Sequence, residues 1–207
     1  MRRCKLLLCA LGATLFLGLL AGAAGARSLS WSSQAFRTTN SSFRVFSNST
    51  RIEARCALTL EGSFHERTFA KVREALIGYI DRAALGGCTG TPISLLTATL
   101  PWRMLYRSFE GALPNVRLIY SNIVGFAIGI TEVLGFLCLS VSTAAEPQVI
   151  RFDRETATGV LTASPTSGEI AIGGECFERT RRLAAEGTGG GRPVVPGTTT
   201  TITVRLI

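Results

Sequence analysis

Residues 118–141 read LIYSNIVGFAIGITEVLGFLCLSV, and how this run is parsed decides the fold. It is long enough for a membrane span and contains Gly125 and Gly129 at the spacing of a helix-pairing motif. Glu132 sits inside it, however, and a carboxylate there costs roughly 2–3 kcal/mol on insertion scales. The apolar period is also two rather than 3.6. Leu118, Tyr120, Val124, Phe126, Ile128 and Ile130 are bulky, whereas Ser121, Gly125, Ala127 and Gly129 on the alternate face are small. A strand that turns near Glu132 and returns through Phe136 to Val141 accounts for both facts. The stretch is therefore expected to be a buried hairpin, with a membrane anchor through 118–141 as the alternative.

Working outward, the same β signals recur. Cys56 opens a run in which Leu58, Leu60 and Phe64 share a face by alternation. Pro92–Trp102 and Met104–Phe109 read as strands, with Leu100-Pro101 and Leu113-Pro114-Asn115 as punctuation. Val149–Asp153, Val160–Ala163, Glu169–Ile172 and a terminal strand over 198–207 follow, separated by Gly and Pro turns. Gly187–Gly197, rich in Gly and Pro, is expected to be a flexible loop. One segment competes. Ser63-Phe64-His65-Glu66 fits a capping box, and Phe69, Val72, Leu76, Tyr79, Ile80 and Ala83 fall at helical spacing. Rule-counting thus favours one helix around residues 64–84, although Gly78 costs a helix interior about 1 kcal/mol and Ile77–Ile80 suits a strand. The expected class is mainly β: an antiparallel sandwich braced by two disulfides.

The ends of the chain carry addressing signals. Arg2, Arg3 and Lys5 precede an apolar run from Leu6 to Leu20, and Ala24-Gly25-Ala26 has the small-residue form of a signal-peptidase site. Residues 1–26 are thus expected to be a signal peptide, 27–50 a leader rich in Ser, Thr and Asn, and 51–207 a single β-rich domain. Removing the signal leaves 19 basic residues of the total 22 against 14 acidic ones, about +5. Lys71 is then the only lysine. The arginines are scattered without interleaved aromatics, which argues against a nucleic-acid partner. Weak attraction to an anionic envelope surface, or to another protein, is what the charge supports. No transmembrane span is expected after cleavage, and the expected location is secreted or extracytoplasmic.

Four cysteines remain after cleavage: Cys56, Cys88, Cys138 and Cys176. An even count in an exported chain favours disulfides, and moderate loop lengths favour Cys56–Cys88 with Cys138–Cys176. Zinc is disfavoured, because there is no C-x-x-C pair and only one histidine, His65. No metal site or cofactor is expected. Asn40-Ser41-Ser42 and Asn48-Ser49-Thr50 match the N-glycosylation acceptor pattern, relevant only in a glycosylating host.

Chemistry is hard to find. No G-x-S-x-G elbow is present. An exported hydrolase would have to use His65, for example with Asp81 and a serine. Glu61, Glu110, Asp153 and Glu155 are the acids that a glycoside hydrolase could pair, and Asp153-x-Glu155 lacks the further oxygens of a calcium loop. No residue is assigned a catalytic role. Trp102, Tyr106 and Phe109 are the candidate binding surface, against the plain alternative that they fill the core.

Cys56, Leu60-Glu61-Gly62-Ser63-Phe64-His65, Leu76-Ile77-Gly78-Tyr79, Cys88, Leu100-Pro101-Trp102 and Gly111-x-Leu113-Pro114 together resemble a set of exported bacterial β-rich proteins of unassigned function. The resemblance covers roughly residues 56–140. It implies export and a mostly β fold, transfers no activity, and tilts Leu76–Ala83 towards strand. The functional expectation is a secreted or envelope-associated, non-enzymatic β-sandwich module that binds or supports an unknown partner.

Overall fold

The computed structural model describes residues 28–47, 52–111, 116–131, 137–155, 157–165, 168–173, 182–187 and 190–207. Residues 1–27, Asn48, Glu132, residues 112–115 and Cys176 lie outside the described residues. Within them the chain is mainly β, and every ladder is antiparallel.

Three long strands form the spine: β2 (Ala35–Phe46), β3 (Glu53–Phe64) and β5 (Leu76–Gly90). The alternation read in the sequence is the reason for β3. Cys56, Leu58, Leu60 and Phe64 face the core while the residues between them are more exposed. From β5 the sheet continues through β7 (Trp102–Glu110), β8 (Leu118–Val124), β11 (Gln148–Arg154) and β12 (Leu161–Pro165). From β2 it continues the other way through β14 (Arg182–Gly187), β13 (Gly168–Gly173), β10 (Leu137–Val141), β9 (Ala127–Thr131) and β6 (Ile93–Leu95).

A sheet of 12 strands must curl to bury one face. Bulges supply the bending. In β2 one extra residue separates Asn40, opposite Leu58, from Phe43, opposite Cys56. Asn40 Oδ1 accepts the Ser42 backbone N–H at 2.9 Å and holds that bulge. The core-facing set accordingly switches from Phe36, Thr38 and Asn40 to Phe43 and Val45. Further register shifts lie between Glu61 and Gly62 and between Tyr106 and Ser108. The curl brings the end of the sheet back on itself. Gly191 exchanges hydrogen bonds of 3.0 and 2.8 Å with Ala163 of β12, and Val194 exchanges two of 2.8 Å with Arg37 of β2. Residues 191–194 thus lace β12 to β2, making the arrangement sandwich-like and nearly a barrel.

A separate three-stranded sheet, β4–β1–β15, joins Ser28–Trp31 to Thr68–Ala70 and Val204–Leu206. It inserts Leu29, Trp31, Phe69 and Val204 into the core. Trp31 lies flat on Phe64 at 4.1 Å and stacks on Phe69 at 5.7 Å. Further along, Trp102 meets Phe126 edge-on at 4.9 Å and donates its indole N–H to Thr99 Oγ1 at 2.7 Å.

Several expectations change. The helical spacing over 64–84 is realised as β4 and the first half of β5. Gly62 and Gly78 explain why. A Cβ on Gly62 would lie 2.0 Å from Tyr79 O, and one on Gly78 would lie 2.4 Å from Ser63 O. These glycines let β3 and β5 approach closely, and that cross-strand contact overrides local helix propensity. The 118–141 stretch does yield a hairpin, β9–β10, with Cys138 opposite Ile130. No described helix is long and apolar enough to cross a membrane, and the described parts of this stretch are the strands β8, β9 and β10. Its β8 portion has the opposite phase to that expected: Ile119, Ser121 and Ile123 point inward, because Gly125 at φ 96° resets the alternation before β9. The expected leader contains β1 and β2, with Phe43 and Val45 fully buried. The 187–197 segment holds the lacing residues just described, with Val195 packed on the core.

The Cys56–Cys88 disulfide forms as expected and joins β3 to β5 across adjacent strands. Buried Cys138 is also disulfide-bonded; its expected partner Cys176 is outside the described residues.

Candidate functional site

The expected aromatic surface is not an exposed one. Trp102 and Tyr106 are 0% and 3% exposed and fill the core, where burial pushes the Tyr106 phenol up. The reason is period: both occupy the inward phase of β7, and the bulge after Tyr106 turns the strand so that Phe109 ends half-buried. Phe109 packs on the same cluster and lies under the Lys71 ammonium at 5.1 Å.

The residues considered for catalysis are dispersed. His65 is exposed in the turn after β3, its backbone N–H donating to Ile77 O at 2.9 Å. Ser63 Oγ is 3.5 Å from Asp81 Oδ2 on the neighbouring strand. Glu110 accepts the Tyr120 hydroxyl at 2.8 Å, which raises that phenol's pKa. Asp153 pairs with Arg151 at 2.9 Å, and Glu155 accepts Thr158 Oγ1 at 2.6 Å. Among the described residues no group of His, Cys, Asp and Glu is placed to hold a metal ion.

What the fold does build is a trough on the outer face of the spine. The outward phase of β2 presents Arg37, Thr39 and Ser41; that of β3 presents Glu61, Thr59 and Ala57; that of β5 presents Arg82, Ala84 and Gly86. Register places them in rows. Arg37 is opposite Glu61 and Glu61 opposite Arg82; Thr39 is opposite Thr59 and Thr59 opposite Ala84. Side chains follow the rows. Glu61 lies 3.4 Å from Arg37 Nε and 3.8 Å from Arg82 Nη1, and the Thr39 and Thr59 hydroxyls bond at 3.0 Å.

Three hollows open along this face. One of about 520 Å³ lies over Arg37, Glu61 and Arg82 and is walled by Thr97 and Leu100. A second, about 650 Å³, shares Arg37 and is walled by Val194 and Gly197–Thr200. A third, about 370 Å³, sits at the bulge beside Arg55, Gly86 and Gly87. The floor is made largely of small side chains, and the charge is carried by Arg37, Arg82 and Arg55 with Glu61 between the first two. Among the described lining residues there is no aromatic. Beyond the third hollow, Arg44 bridges Glu53 at 3.0 Å and Glu186 at 3.1 Å, and Glu53 also meets Arg55 at 3.0 Å. Hydrogen bonds from Arg55 and then Arg44 hold the Glu53 carboxyl below its ordinary pKa.

Sequence reasoning missed this face. In the sequence Glu61 stands out only as an acid that a glycoside hydrolase could pair and as part of the resemblance motif, and Arg37 falls in the expected leader. The available signal was the alternation Phe36, Thr38, Asn40 against Arg37, Thr39, Ser41, which marks a half-buried strand.

Comparison of the chain with protein-family models, curated proteins and solved structures finds no match.

Proposed function

We propose that this chain is an extracytoplasmic binding module, and that its ligand lies along the outer trough of β2, β3 and β5. The observation that carries the reading is the set of three adjoining hollows on one sheet face, with Arg37 lining two of them. Rigid strands, rather than loops alone, position the groups on the floor, which is how a preorganised site keeps its geometry. Export is supported separately. The N-terminal charge, apolar run and Ala24-Gly25-Ala26 fit a cleaved signal, and the Cys56–Cys88 disulfide suits an oxidising compartment. The residual positive charge supports association with an anionic envelope surface after export.

Two measurements test this. Intact mass and thiol counting on material exported from the full chain should give a terminus after residue 26 and no free thiol. Full retention of residues 1–26 in the exported product, or four free thiols in folded protein, overturns the export half. For the site, replacing Thr59 by Trp places a bulky ring on the trough floor. The variant should fold and lose binding to envelope fractions that retain the wild type. Equal retention overturns the trough as the site.

A further inference from the structure

Resting on the trough as the binding site, we infer that its ligand is an acidic polysaccharide recognised through a carboxylate held between Arg37 and Arg82. The first argument is charge. Two guanidiniums flank a single carboxylate, and Arg37 and Arg82 are 49% and 83% exposed at the side chain, against 28% for Glu61. Contacts of 3.4 and 3.8 Å to Glu61 leave most of their donors directed at solvent. A guanidinium presents its donors in a planar fork that matches a carboxylate. Arg55 at the third hollow is 60% exposed but already meets Glu53 at 3.0 Å, so the carboxylate-binding charge of the trough is assigned to Arg37 and Arg82.

The second argument is the lining. Thr39 and Thr198–Thr200 line the second hollow with hydroxyls that can exchange hydrogen bonds with a polyol. Neutral sugars and nucleobases are commonly gripped by stacking on aromatic rings, and no described residue lining the three hollows is aromatic. The described lining thus offers a ligand charge and hydroxyl contacts. The third argument is shape: the first two hollows lie side by side over the Arg37 and Thr39 rows and the third lies further along the same strands, an elongated set that suits an extended chain with repeating acidic units.

The test uses the full exported protein and fluorescently labelled polygalacturonate oligomers, with the fully methyl-esterified oligomer and single-stranded DNA of equal length as comparison probes. The acidic oligomer should bind. Esterification, which removes the charge and caps one carboxylate oxygen with a methyl group, should weaken binding about tenfold or more, and DNA should bind more weakly than the acid. Arg37→Gln and Arg82→Gln should each cost about tenfold and reduce the salt dependence. Glu61→Gln, which removes the competing carboxylate, should tighten binding several-fold; a structural role for Glu61 alone would not produce that gain. Melting temperatures check that each variant folds. Equal affinity for acid and ester, wild-type affinity in both arginine variants, or preference for DNA overturns the acidic-saccharide assignment. If the ester still binds and Thr59→Trp abolishes it, the trough reading survives that failure. If none of the probes binds, this assignment is overturned, and the trough reading is judged by the envelope-retention test alone.

Discussion

Arg44 shows how much one outward-facing residue can organise. Its guanidinium joins Glu53 of β3 to Glu186 of β14 and lies 4.3 Å over the Phe46 ring. Exposed ion pairs are individually weak, but a shared arginine gives the cluster directional hydrogen bonds. The consequence has a sign. Glu53 has a lowered pKa in the folded chain because Arg55 and Arg44 stabilise its charged form. It therefore contributes stability above the ordinary glutamate range, and this contribution is lost as pH falls through the folded value. Glu53→Gln should flatten that part of the acid limb in a melting-temperature titration while leaving neutral-pH folding intact. An unchanged acid limb would refute the role. Gly62 is the second residue with a sharp expectation. Gly62→Ala should cost about 2 kcal/mol or more in denaturant unfolding, since its methyl would overlap Tyr79 O.

At the scale of elements, the stapled ladder β3–β5 is the most instructive. Cys56 faces the core and Cys88 is exposed, and the bridge closes a separation of 32 residues beside a register shift at Arg55–Ala57. On the chain-entropy model, Cys56→Ser with Cys88→Ser should destabilise by about 3–4 kcal/mol, read as a lower denaturant midpoint without loss of β signal in circular dichroism. This pairing was legible from cysteine spacing alone, as was the alternation of β3 and the return of the 137–141 strand. What was not legible was the outcome of conflicts between levels. Phe69, Leu76, Ile80 and Ala83 carry a helical period, yet tertiary pairing through Gly62 and Gly78 forces strands. Phase failed for a related reason: the alternation read through Gly125 is shifted by a turn that the local sequence specifies only in context. The trough stayed hidden because its residues are ordinary singly and become a site only through register.

The whole molecule depends on a seam. A sheet this broad leaves two edges, and residues 191–194 tie one of them, β12, back to β2. Gly191 permits this. A Cβ there would stand 2.1 Å from Thr39 O, so Gly191→Ala should lose about 2–3 kcal/mol. Amide exchange at Ala163 and Arg37 should rise more than exchange in the β9–β10 hairpin. A uniform change across the chain would refute a local seam. The loop that composition marks as flexible therefore links the sheet edge at β12 to the spine strand β2. It also walls the second hollow, so seam and trough should loosen together.

The bulge at Asn40 has a consequence for how this chain can be made. Its amide is 4% exposed and its oxygen already holds the Ser42 N–H, so the tripeptide Asn40-Ser41-Ser42 is an acceptor only while β2 remains unfolded. In a eukaryotic secretory host, an oligosaccharide attached there during translocation would bar β2 from the sheet. Glycosylated chains should then accumulate as misfolded, retained material. Ser42→Ala removes the tripeptide signal but keeps the amide and the backbone donor, and should raise the secreted yield in such a host without altering yield from a bacterial one.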